Sequence, residues 1–169
     1  MTIVAMACKL VLGVVLVTAC APAPAVPSAT PSPSALAAVE ASRDLDGKPV
    51  GHAAVPTLVV VFASWCPHCR VEFRELAALR SAHPDLRIVG IDYQPQEEYD
   101  HRGGPAQLRA FVADVVPWLE VVAADDALFA ALGSPPHIPT TLVFDATGVP
   151  TARLGGEVSR ARLARALGY

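Results

Sequence analysis

Residues 57–63 read TLVVVFA, a run of β-branched and aromatic residues with no polar position after its first. A strand covered on one face alternates apolar and polar residues, so an unbroken run predicts a central strand buried on both. A helical period follows, with Phe73, Leu76 and Leu79 lying against Arg70, Glu72, Arg74, Glu75 and Arg80. This predicts an amphipathic helix that starts at Pro67, where the missing N–H costs nothing, and ends near His83-Pro84. Glu72 falls on its polar face.

Residues 86–92 (LRIVGID) predict a second buried strand, and 94–104, polar with Pro and Gly, a loop. Residues 105–116 predict a helix stopped by Pro117, and 119–123 a short strand. Residues 125–132 predict a helix with acidic residues at its positive end and Gly133 after it. Residues 140–145 predict a strand turning at Ala146-Thr147-Gly148 into a weaker one at 150–154. Ser159 then caps a last helix through Leu167. The order βαβα(β)αββα predicts a single α/β domain whose central mixed sheet ends in an antiparallel hairpin and is flanked by helices. At 169 residues the chain suits one core.

The N-terminus follows other rules. Residues 1–19 carry Lys9, the apolar run 10–17 and small residues before Cys20, the layout of a removable secretory signal peptide. Val17-Thr18-Ala19-Cys20 resembles a bacterial lipobox, which implies a lipid on the Cys20 sulfur. The other reading is an uncleaved membrane anchor, and both place the domain outside the cytoplasm. Residues 21–35 are almost wholly Ala, Pro and Ser, too small and polar to bury a core. At about 3 Å per residue in a polyproline conformation they make a tether of roughly 45 Å. The expected organisation is a signal peptide at 1–19, lipidated cysteine and tether at 20–39, and the domain at 40–169.

Composition narrows the chemistry. A net charge of −3 gives no basic footprint for nucleic acid. Of four cysteines only Cys66 and Cys69 fall in the domain, and a bridge across two residues closes too small a loop to restrain the unfolded chain. The pair reads as a redox centre, not a staple. Cys66 at the helix start faces unpaired N–H groups and the positive end of the dipole, which favour a thiolate. Cys69, three residues on, shares that helix face and can bridge to it. His68 places a cation beside the thiolate, and Trp65 supports the loop as a half-buried aromatic.

A buried strand delivering Trp65-Cys66-Pro67-His68-Cys69 to a helix start, with His137-Ile138-Pro139-Thr140 before a later strand, resembles the thioredoxin superfamily. Asp46-Gly47-Lys48-Pro49, the phrase FASWCPHC and the lipoprotein leader look most like its extracytoplasmic TlpA/ResA-like branch. The resemblance covers residues 40–169. It implies a thioredoxin-like fold and protein thiol–disulfide exchange. Cys66 would attack and Cys69 resolve, with no cofactor beyond their own disulfide and no metal. It further implies a cis Pro139 that frees the Ile138 backbone, beside Thr140, to pair with substrate. Implied partners are thiol- or disulfide-bearing secreted proteins and a membrane redox protein.

Pro67-His68 matches strongly oxidising members, whereas the TlpA-like surroundings suit a reductant such as those of cytochrome c maturation. The reading leans to oxidant. Where the family has a buried aspartate six residues before the first cysteine this chain has Val60, which leaves the proton acceptor for Cys69 unassigned. Asp92, at the end of the second strand, is the candidate for that acceptor, with an exposed loop residue as the favoured reading. The rivals are a copper-binding lipoprotein, since two thiols and a histidine can hold a soft ion, a peroxidase, whose motif Pro56 and Cys66 do not satisfy, and a non-catalytic binding lipoprotein.

Overall fold

A computed structural model describes residues 31–169 of the chain. The signal peptide expected at 1–19, Cys20 and the expected tether up to residue 30 lie outside the described residues.

The unbroken apolar run becomes β1 (Thr57–Phe62), buried at all six positions. It sits in the middle of a five-stranded sheet of order β3-β2-β1-β4-β5. β2 (Arg87–Tyr93) and β3 (Glu120–Ala124) continue it in parallel on one side. On the other, β4 (Thr140–Phe144) runs antiparallel to β1 and pairs with β5 (Pro150–Gly155) as the expected hairpin. Helices cover both faces, which is why β1 needs no polar alternation.

One face packs under α2 (Pro67–Ala82), α4 (Pro105–Val115) and α6 (Arg160–Leu167), where Phe73, Leu76, Leu79, Leu108, Phe111 and Leu163 join Leu58, Val60 and Phe62. Gly90 of β2 belongs to this layer for want of room. A Cβ there would lie 2.8 Å from Leu119 Cδ2 and 2.9 Å from Phe62 Cε1. The other face carries α1 (Ala35–Glu40) and α5 (Asp126–Ala131), with Leu36, Val39 and Leu128 against Val59, Val61 and Ile91.

Two segments differ from the sequence reading. The tether expected up to residue 39 gives its last residues to the fold. Ala35, Leu36 and Val39 are buried, and Glu40 at the end of α1 lies 3.7 Å from Arg87, the arginine that also grips the carbonyls of Val50 and Gly51. Side chains this small form a helix because a sheet face is there to receive them. The loop expected at 94–104 contains a short α3 (Gln94–Glu97) and a 3-10 turn at Tyr99–His101. Among the described residues no helix is long and apolar enough to cross a membrane.

Candidate active site

β1 delivers the chain through Ala63, Ser64 and Trp65 to Cys66, which is the N-cap of α2 with φ −76° and ψ 116°. Its Sγ takes the place of the usual capping oxygen and accepts the Cys69 N–H at 3.3 Å. Pro67 occupies the first helical turn, and both thiols stand unbonded. Cys66 is 3 % exposed and Cys69 fully buried, one turn deeper on the same helix face.

This asymmetry divides the two sulfurs chemically. The Cys69 thiol hydrogen-bonds Cys66, the backbone N–H groups of Cys69 and His68 add to it, and the His68 ring contributes charge. Against the opposing cost of burial they lower Cys66 to about 6. Burial pushes Cys69 far above the ordinary thiol range, and its bond to Cys66 pushes the same way. At neutral pH the pair is one thiolate above one thiol.

The surrounding residues fall into place around it. His68 is exposed, with Nδ1 3.1 Å from Glu157 Oε2. Trp65 is half-buried, its Nε1–H donating to the carbonyls of Gln96 (3.1 Å) and Glu97 (2.8 Å), and Arg102 lies 5.3 Å over its ring. β4 begins with Thr140 opposite Val61, so residues 137–139 border the end of the sheet that carries Cys66. The Ile138–Pro139 bond is cis, Thr140 Oγ1 donates to the His137 carbonyl at 2.8 Å, and the Pro139 carbonyl accepts from Gly156 N–H at 2.9 Å. Val60 is core, 1 % exposed.

Three buried carboxyls escaped the sequence reading. Glu72, placed there on the polar face of α2, is completely buried. Its Oε1 accepts from the Thr141 hydroxyl, and Oε2 has no hydrogen-bond partner. Burial raises it to about 7, the Thr141 hydroxyl and the Val158 backbone N–H opposing, and its charge acts on both Cys66 and Cys69. The signal was present: positions 69, 72, 73, 76 and 79 form one continuous helical stripe.

Asp92, expected in solvent, lies inside β2 with only 4 % exposed, because β2 extends past it to Tyr93. Glu97, inside the segment expected to be a polar loop, is 2 % exposed. Its Oε2 accepts the Ser64 N–H at 2.7 Å, and Oε1 accepts the Ser64 hydroxyl and, at 3.2 Å, the Gly104 N–H. No alternation or helical period marks either residue in sequence.

No protein-family profile and no curated protein matches the chain. Solved structures do. The thiol:disulfide interchange protein of Chlorobium tepidum aligns at 24 % identity with a TM-score of 0.62, over 75 % of this chain and 89 % of that one. A secreted disulfide oxidoreductase of Mycobacterium tuberculosis, homologous to E. coli DsbE, aligns at 20 % identity and 0.61 over 75 % and 92 %. StoA of Bacillus subtilis aligns at 16 % identity and 0.59 over 74 % and 92 %. The fold is therefore thioredoxin-like: a mixed five-stranded sheet between two helical layers, with a Cys-x-x-Cys pair where the helix after β1 begins.

Proposed function

We propose that this chain is an extracytoplasmic protein thiol–disulfide oxidoreductase of the TlpA/ResA-like kind, held at a bacterial membrane by lipid on Cys20. It exchanges disulfides with secreted proteins through Cys66 and Cys69, is recharged by a membrane redox protein, and works as an oxidant. The observation that carries this reading is Cys66 Sγ seated as the N-cap of α2 and lowered to about 6, since the thiolate is both the nucleophile and the good leaving group of exchange.

In the oxidising direction a substrate thiolate attacks Cys66 Sγ of the Cys66–Cys69 disulfide, and the S–S bond breaks toward Cys69, which takes up a proton. A second substrate thiolate then attacks the substrate sulfur and expels the Cys66 thiolate. Two electrons pass from substrate to protein, and reduction is the reverse. The backbone at Ile138, beside Pro139 and Thr140, would align the substrate chain. Insulin serves as a disulfide probe: Cys66→Ser is expected to lower dithiothreitol-coupled insulin reduction to the uncatalysed rate, and a wild-type rate would overturn the reading.

The lean toward oxidation rests on His68, whose charge steadies the thiolate and so the reduced form. His68→Pro is expected to lower the reduction potential, measured against glutathione, by roughly 30 mV or more, about one power of ten in the equilibrium. An unchanged potential removes the oxidant assignment. The alternative, a reductant in cytochrome c maturation, draws on Glu157, whose carboxylate 3.1 Å from His68 takes up part of that charge.

A further inference from the structure

The carboxyls of Asp92 and Glu97 lie together under the loop that leads into Cys66, and the redox chemistry above uses neither. Glu97 is the better supplied, with two donors from Ser64 and one from Gly104. Its own carbonyl accepts from Trp65. One residue thus grips both positions immediately before Cys66. The space beside it has no room for a larger residue: a Cβ on Gly103 would collide with the Glu97 carboxyl.

Asp92 has no comparable supply, and its Oδ1 is buried without a partner. Phe62 and Ala123 flank it in the sheet, and neither side chain can donate. The charged groups around it are Glu97 and Glu98 from the 94–98 segment, Arg43 and Asp44 from the N-terminal turn, and Arg109 from α4. Neither cation pairs with Asp92: Arg43 donates to the Gly47 carbonyl at 2.7 Å, and Arg109 donates to the Leu45 carbonyl at 2.7 Å and lies 3.6 Å from the Asp46 carboxylate. Two buried carboxyls in contact cannot both be ionised without a cation. Three donors face Glu97 and none faces the buried Asp92 oxygen, so Asp92 is the member of the pair that holds a proton.

We propose that Glu97 is the positioning residue of the Cys66 loop and that Asp92 is its proton-bearing partner, so that the loop is held while Asp92 is an acid and loosened when it ionises. The effect on exchange rests on the oxidoreductase reading, whereas the effect on the loop does not. Burial, then the neighbouring Glu97 charge, push Asp92 up to about 8. A cavity of about 330 Å³ bordered by Asp92, Glu97 and Leu108 gives the pair a route to water.

The test uses the reduced protein with Trp118→Phe, which leaves Trp65 as the sole indole. Its fluorescence is expected to inflect near pH 8, above the Cys66 transition, and the inflection is expected to vanish in Asp92→Asn, whose amide donates to Glu97 at every pH. Glu97→Gln, which sets an NH₂ against donors, is expected to slow alkylation of Cys66 by iodoacetamide at pH 7 about tenfold, the loss of one charge-assisted hydrogen bond. A residue with only a structural role would lower the melting temperature and leave the inflection in place. An inflection that persists in Asp92→Asn overturns the proposal, as does a folded Glu97→Gln alkylated at the wild-type rate. Neither readout requires exchange activity, so failure here is separable from failure of the redox reading.

Discussion

Serine in place of Cys69 is expected to turn the protein into a covalent trap. When Cys66 attacks a substrate disulfide, the mixed disulfide hangs from the outer sulfur, and the group placed to release it is the thiol one turn below on the same helix face. Cys69 is fully buried and held protonated by its surroundings, so it is idle toward bulk reagents and competent only toward a sulfur already on Cys66. Without it the adduct has no intramolecular exit. Its lifetime should lengthen from seconds to hours, on the order of 10³-fold, as expected for uncatalysed reshuffling. Adducts that survive non-reducing electrophoresis and vanish with dithiothreitol check this. Cys66→Ser should form none, and a Cys69→Ser protein that releases substrate at the wild-type rate would refute the division of labour.

Replacement of Glu72 by glutamine is expected to have the next largest effect. Cys69 must lose its proton to act, yet it is shut off from solvent. Glu72 is one turn further along α2, has an unpartnered oxygen and sits at about 7, so near neutrality its carboxylate is available to take that proton. General base catalysis of this kind is worth about 10²-fold. Because Glu72 is raised above its ordinary range, the anion disappears as pH falls through 7, and release from a Cys66 mixed disulfide should slow below that point. Glu72→Gln should be slow throughout and show no such inflection. Stopped-flow release of a thionitrobenzoate adduct, followed from pH 5 to pH 9, measures both. Unchanged rates would return the proton acceptor to the unassigned state that Val60 implied.

The parts legible in sequence were those whose signal is local. The TLVVVF run carries the β-branched signal of a strand covered twice, and Pro67 after Cys66 suits the first turn of a helix, so the strand–thiol–helix unit follows from some fifteen residues. The parts that were not legible depend on what arrives from elsewhere. α1 has the composition of the tether that precedes it and becomes a helix because α5 and the sheet offer an apolar seat. Glu97 reads as one of many polar residues between Gln94 and Gly104, and is drawn inside only because Ser64, thirty-three positions earlier, turns two donors toward it. Asp92 is buried because Leu45, Glu97 and Leu108, from three other stretches of the chain, gather around it. Glu72 is the instructive case. Its spacing lay on the inner stripe, and its charge alone moved it to the outer face.

The crowding of buried acids at one end of the sheet sets how the domain meets a change of acidity. Asp92 moves from 3.8 to about 8 and Glu72 from 4.5 to about 7, so each binds its proton more tightly folded than unfolded. Stability drawn from that preference is whole below the unfolded values and drains away as pH climbs through the window. Cys66, lowered from 9.0 to about 6, runs oppositely, but only above 6. Melting temperatures of the reduced domain should therefore drop between pH 5 and pH 6, where most proteins gain. A mildly sour environment would leave the molecule firmer while its outer sulfur, now reprotonated, rests; neutralisation returns the nucleophile and slackens the scaffold together.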